Sequence, residues 1–321
     1  MLGLVVAVSL SYQIRAQEVE VAATLAFTEG PTVDREGNVF FTDQANNRIM
    51  RLDVDGGLKT FRQPSNYANG MVFDRDWRLL VCETGDRSAG TPPRVTRTDL
   101  STGRIEVLVD SYEGKRLNAP NDITVDSRGR IYFTDRPSTL PNQPPIKLSE
   151  KEKSEIAPIG VYRIDTNGKV TRILTAPETE MPNGLIISPD DKIFYLIESS
   201  PVEKGLRMIR AFDLKPDGSV ANARVFHNFY PGRSGDGMSI DTKGNLYVAA
   251  GLNRLRKTSE TLDTKPGIHV FSPAGEELRH IPIPEDLITN CAFGGADLKT
   301  LYVTAGKSIF RIHLEIEGTR R

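Results

Sequence analysis

The sequence predicts an all-β fold, a six-bladed β-propeller, and three observations carry that expectation. A polar residue followed by a short apolar run recurs six times, as Glu29-Gly30-Pro31-Thr32-Val33-Asp34, Asn69-Gly70-Met71-Val72-Phe73-Asp74, Asn121-Asp122-Ile123-Thr124-Val125-Asp126, Asn183-Gly184-Leu185-Ile186-Ile187-Ser188, Asp236-Gly237-Met238-Ser239-Ile240-Asp241 and, less regularly, Asn290-Cys291-Ala292-Phe293-Gly294-Gly295. Turns then follow that open on aspartate and close on glycine, such as Asp34-Arg35-Glu36-Gly37, Asp126-Ser127-Arg128-Gly129 and Asp241-Thr242-Lys243-Gly244. Aspartate accepts hydrogen bonds within a turn and glycine tolerates positive φ, so each turn reads as a hairpin. The six markers stand 40 to 62 residues apart. That spacing holds four short strands per repeat, the period of a propeller blade.

Along the chain, the first apolar stretch is Leu2 to Leu10. It is far shorter than the roughly 20 residues that span a bilayer. It resembles the apolar core of a secretion signal with cleavage after Ala16, so residues 1–17 are a candidate signal peptide and 18–321 a single propeller domain. A functional signal places the protein outside the cell or in a periplasm; without one it is cytoplasmic. Val19 to Leu25 is placed to pair with strands near Ile309 to Leu314 and close the ring, which protects open sheet edges. Second strands end in polar or acidic residues at Asp43, Glu83, Asp135 and Glu198, near the same mouth as the markers. Gly160 to Asp165 and Lys169 to Leu174 supply third and fourth strands. Two long loops, 136–158 and 251–266, leave that mouth; loops of this length often act as lids. Only Leu148 to Ile156 offers a helical alternative.

Lysine plus arginine number 41 against 42 acidic residues, a net charge of -1. Nothing in that balance favours nucleic acid or an anionic membrane. Cys82 and Cys291 fall in different repeats and read as small buried residues. His227, His269, His280 and His313 lack zinc spacing; His269 and His313 read as packing or surface residues. Arg233, three residues before Asp236, is a candidate for binding an anionic or hydroxylated substrate. No phosphate loop or nucleophile elbow is present.

Asn-Gly and Asp-Gly pairs are ordinary turn formers, but one oxygen-bearing side chain per repeat in constant register suggests a ring of donors around one centre. Inner propeller strands line the channel, so the ring stands at one channel mouth, as a metal site. Glu29 and Asp236 bring charge, and Asn121 and Asn183 bring neutral carbonyl oxygens. That all-oxygen set suits a divalent cation, calcium first, with Mg2+, Mn2+ or Zn2+ as alternatives. Asp122 would support it from behind. Asn69 and Asn290 read as neighbours of the cage.

At these residues the chain resembles the gluconolactonase and senescence-marker-protein (regucalcin-like) family. The phrases are Asn118-Ala119-Pro120-Asn121-Asp122, Tyr132-Phe133-Thr134-Asp135, Pro182-Asn183-Gly184-Leu185 with Ser188-Pro189-Asp190, Asp236-Gly237-Met238 and Ala292-Phe293-Gly294-Gly295. Leu79-Leu80-Val81-Cys82-Glu83 with Arg94-Val95-Thr96-Arg97 resembles its bacterial branch. The resemblance implies a six-bladed propeller with one catalytic divalent cation held by Glu29, Asn121, Asn183 and Asp236, with Asp236 as base or nucleophile. The chain departs at Thr84-Gly85-Asp86, where the bacterial branch carries His-Gly-Asn, and at Ala119, where animal members carry arginine.

The function expected is a metal-dependent hydrolase opening lactone rings, with Asp236 and Asn121 as catalytic residues and a small lactone or ester as substrate. A metal-dependent esterase or phosphotriesterase on the same site, and a non-catalytic propeller stabilised by calcium, are the alternatives. No nucleic-acid or membrane partner is expected, and the sequence leaves the oligomeric state open.

Overall fold

At Asp34 the side-chain Oδ1 accepts the Asn38 N–H at 2.8 Å, and the Gly37 N–H closes on the Asp34 carbonyl at 3.1 Å. Gly37 has φ +90°, a conformation that a side chain would strain. Asp126 repeats the turn with Arg130, and Asp241 with Asn245. These turns pair each inner strand with its neighbour, as the sequence predicts.

The computed structural model describes residues 19–137 and 155–319. The candidate signal segment and most of the 136–158 loop, with its helical alternative, lie outside them. The described residues form six four-stranded antiparallel sheets and a two-stranded ribbon, Ser111–Tyr112 with Lys115–Arg116. The inner strands are Thr28–Val33, Ala68–Phe73, Pro120–Val125, Pro182–Ile187, Gly235–Ile240 and Ile288–Gly294. Each touches the next, and the last touches the first, so the sheets form a closed ring. Val19–Thr24 pairs antiparallel with Ser308–His313 and becomes the outer strand of blade six. The chain start thereby closes the propeller, as expected.

Second strands are buried on both faces, because each blade is covered by two neighbours. In Val39–Asp43, Phe40 packs with Phe73 and Leu79 of blade two, whereas Val39 and Phe41 pack with Ile309 of blade six. The period-two alternation therefore serves two different interfaces. The described apolar core falls into six clusters, one per blade interface. Cys82 and Cys291 are free thiols inside two of them.

Candidate active site

All six inner strands lose regular register at the same end. The shifts fall between Glu29 and Thr32, Ala68 and Met71, Pro120 and Ile123, Pro182 and Leu185, Gly235 and Met238, and Ile288 and Asn290. A bulge places two residues opposite one and re-aims a side chain. Pro120 and Pro182 lack the N–H that a regular ladder would need there. The repeated polar residue is the first residue of this bulge in five blades: Glu29, Asn69, Asn121, Asn183 and Asp236.

Blade six departs from the sequence reading. Ile288 pairs with Ala305 and Cys291 with Val303, as Ala68 pairs with Glu83 and Met71 with Val81. Thr289 thus occupies the marker position, and Asn290 sits one residue further in. The Thr289 hydroxyl is buried and lies within hydrogen-bond distance of Thr28 O, Thr304 O and Thr304 Oγ1.

The second bulge residue forms a floor beneath the ring. Four of the six are glycines: 30, 70, 184 and 237. A Cβ on Gly30 would lie 2.1 Å from the Asn69 carbonyl oxygen, and one on Gly237 would lie 2.0 Å from Asn290 Cγ. The two non-glycine members, Asp122 and Asn290, fill the axis. Burial and Asp236 push the Asp122 carboxyl up to about 7, against the Ile123 and Leu185 N–H groups and the Asn290 amide. Beyond this floor a cavity of about 110 Å³ is lined by Thr32, Trp77, Thr124, Ser239 and Phe293, with Thr319 of the C-terminal segment beside it. Its walls carry hydroxyl and apolar groups together with Asp34 and the floor residues Asp122 and Asn290.

The ring itself is polar and desolvated. Glu29 is buried, and the bond at its carboxylate is the adjacent Gly30 N–H at 3.0 Å. Burial, then the Asp236 charge, raises its carboxyl well above the ordinary range. Asp236 Oδ1 accepts from Asn183 Nδ2 at 2.6 Å, and Oδ2 pairs with Arg233 at 2.5 Å. Arg233 also donates to the Ile288 carbonyl at 2.9 Å, which bridges blades five and six. The structure therefore pairs this arginine with Asp236 directly. The Asn121 and Asn69 side-chain amides have no hydrogen-bond partner among the described residues.

These residues fit a hard divalent ion. Buried Glu29 and half-buried Asp236 act on each other, and the amide oxygens come from the same register. Among the described residues no three His, Cys, Asp or Glu side chains converge closely enough to hold an ion by themselves. A centre here therefore depends on its two asparagines.

Asp43, Asp135 and Glu198 end their strands fully buried, but their oxygens are taken. Asp43 accepts the Ala26 and Phe27 N–H groups, Asp135 those of Asn118 and Ala119, and Glu198 those of Glu180 and Met181. Each fastens the loop leading into its own blade. Glu83 instead binds Arg62 and Arg94. His227 packs on Phe229 and Phe271 between outer strands, away from the mouth. His269 is buried against Glu277 and the Lys265 carbonyl.

Three arginines escaped the sequence reading because no repeat marks them. Arg136 directly follows Asp135 at the mouth, and its Nη1 donates to Ser199 Oγ at 3.3 Å. Arg256 lies on the 251–266 loop, near enough for Arg233 and Asp236 to act on its charge. Buried Arg207 donates to the Ser200, Val202 and Pro231 carbonyls and to Ser259, fixing that loop against blade four. A lone arginine beside a strand-end acid or inside a strand was the only signal available.

A propeller with a polar, oxygen-lined mouth defines the class. The chain belongs to the SMP-30/gluconolactonase/LRE-like family, whose model matches residues 27–307. It is 29% identical over 320 residues to a gluconolactonase of Zymomonas mobilis, covering 93% of this chain and 81% of that protein. It is also 29% identical to the solved structure of a Xanthomonas campestris gluconolactonase, with TM-score 0.76, covering 93% and 89% of the two chains. A calcium-binding regucalcin structure from Agrobacterium tumefaciens shares the fold, with TM-score 0.71 and 17% identity over 94% of each chain.

Proposed function

We propose that this protein is a divalent-cation-dependent lactonase that opens small lactones, sugar lactones among them. The observation that supports this most is the mutual action of two carboxylates, buried Glu29 and half-buried Asp236, in register with the Asn121 and Asn183 amides. Like charges held together in a desolvated site are unfavourable unless a cation joins them. The gluconolactonase relatives supply the substrate class.

In this reading Glu29, Asn121, Asn183 and Asp236 hold the cation. When bound, it polarises the lactone carbonyl and stabilises the negative charge that develops there. Asn121, whose amide is free of other described partners, also orients the lactone carbonyl. Asn183 and Arg233 fix the Asp236 carboxylate from both edges. Asp236 takes a proton from the attacking water as its oxygen bonds to the carbonyl carbon. The ring C–O bond then breaks, and the ring oxygen leaves with a proton as the new hydroxyl. The product is a hydroxy acid. The floor of glycines, Asp122 and Asn290 closes the site from below.

The test is hydrolysis of glucono-δ-lactone by the full-length protein, after chelation and after return of Ca2+, Mg2+, Mn2+ or Zn2+. The reading expects activity that disappears with chelator and returns with a cation, and a loss of about 100-fold or more in Asp236→Asn. Undiminished turnover in a chelated Asp236→Asn protein would end it.

A further inference from the structure

Arg136 stands apart from the arginines around it. Arg62 and Arg94 share Glu83 at 2.8 and 2.7 Å, and Arg233 holds Asp236 at 2.5 Å. The Arg136 guanidinium, also partly buried, has no carboxylate within ion-pair distance among the described residues. Its bonded partner is the Ser199 hydroxyl, which also accepts Asn183 Nδ2 at 3.0 Å. One hydroxyl thus separates this guanidinium from a ring amide. Burial lowers its pKa even though Asp236 and Glu29 pull the other way. Arg256, from the loop over blade five, likewise has no hydrogen bond or ion pair with a described residue. Unlike Arg136 it is exposed; partial desolvation and the charge of Arg233 lower it, while Asp286 and Glu260 pull the other way. If Glu29 and Asp236 are committed to a cation, as the lactonase reading requires, neither of them is left to balance the Arg136 guanidinium.

We propose that the mouth selects lactones carrying a second, anionic group, carboxylate or phosphate, and that Arg136 binds that group. This rests on the lactonase reading for the reacting half of the substrate. The physical reason is the geometry of guanidinium. Its planar fork matches carboxylate and phosphate oxygens two at a time, and a desolvated guanidinium gains most from an ionised acceptor. A neutral sugar hydroxyl accepts from arginine as well, but leaves the charge uncompensated.

The experiment compares kcat/KM for glucono-δ-lactone, its phosphorylated analogue and glucaro-γ-lactone in the cation-loaded, full-length protein. Wild type is expected to favour at least one anionic lactone about tenfold or more, since a charge-assisted bond is worth about that factor. Whichever of the two is preferred identifies carboxylate or phosphate as the group bound. In Arg136→Gln the ratio of anionic to neutral kcat/KM falls about tenfold; Arg136→Lys restores part of it, and added salt erodes it. Equal efficiency on neutral and anionic lactones in wild type, or an unchanged ratio in Arg136→Gln, overturns the proposal while leaving the lactonase reading intact. If no lactone is hydrolysed with any cation, the lactonase reading fails instead. Calorimetry then decides the anion site separately, by binding of glucarate and phosphogluconate against gluconate. An anion preference that Arg136→Gln removes supports it, and equal binding refutes it.

Discussion

Two sets of buried carboxylates recur with the blades of this propeller, and they differ in what surrounds their oxygens. Asp43, Asp135 and Glu198 close second strands and each receives backbone N–H groups from the loop leading into its blade. Glu29 and Asp236 stand in inner-strand bulges, where Glu29 has the adjacent N–H of Gly30 and the repulsion of Asp236. Glu29 is buried like the first set, and Asp236 is half-buried. At Glu29 the difference is hydrogen-bond saturation, which separates a residue that fastens the chain from one that awaits a ligand; Asp236 differs in being held by side chains, Asn183 and Arg233, and not by backbone N–H groups.

The largest expected effect breaks the pair on the functional side. Glu29→Gln should reduce kcat/KM by about 1000-fold, roughly 4 kcal/mol of barrier. Thermal unfolding of the cation-free variant should be unchanged or raised, because a repelling charge has gone. The same variant should lose the upward shift that calcium gives wild type, which measures binding to the folded state. A Glu29→Gln protein that melts well below wild type without cation would assign this residue to the fastening set.

Asp43→Asn should do the reverse at somewhat smaller magnitude. Asp43 Oδ2 takes the Asn46 amide at 2.8 Å and pairs with Arg48 at 2.8 Å. An amide there would turn an NH2 toward those donors and leave the arginine uncompensated. The expected loss is about 3 kcal/mol in denaturant unfolding, with activity per folded molecule within a few-fold of wild type. An activity loss that exceeds the folded fraction would remove the distinction between the two sets.

The blade pattern was legible because turn chemistry is local: Asp34 and Gly37 specify their hairpin without help from the rest of the chain. Ring members were legible in five blades because Pro120-Asn121 and Gly235-Asp236 carry the bulge in their own sequence. Blade six is ambiguous in sequence, since Thr289 and Asn290 are both polar and only pairing with Ala305 and Val303 decides between them. The strand-end acids were placed at the correct end, but their roles depend on which loop returns to them. Arg136 and Arg256 were invisible for a related reason. Arg136 takes its meaning from having no ion-pair partner among the described residues, which is a property of the folded mouth and not of any segment.

The smallest predicted effect concerns Asp135, the residue that lies between the two sets. It has N–H bonds from Asn118 and Ala119, yet burial still pushes its carboxyl up to about 6. An ordinary aspartate titrates near 3.9, so the folded chain holds this proton more tightly than the unfolded chain does. The folded state then carries more bound protons between those two values, and stability must fall as pH rises across them. Asp135's contribution is therefore fully present below about pH 4 and lost as pH passes through about 6. At roughly 1.4 kcal/mol per unit the change is about 2 to 3 kcal/mol. Asp135→Asn cannot ionise, so the stability of wild type minus that of the variant should decline by this amount from pH 4 to 7 in urea unfolding. The slope is the readout because an amide also turns NH2 toward the Asn118 amide and lowers stability at every pH. A difference that stays constant with pH would mean that the N–H groups fully replace water around this carboxylate. Saturation and burial would then cancel in the fastening set, and the raised Glu29 would owe its state to missing donors alone.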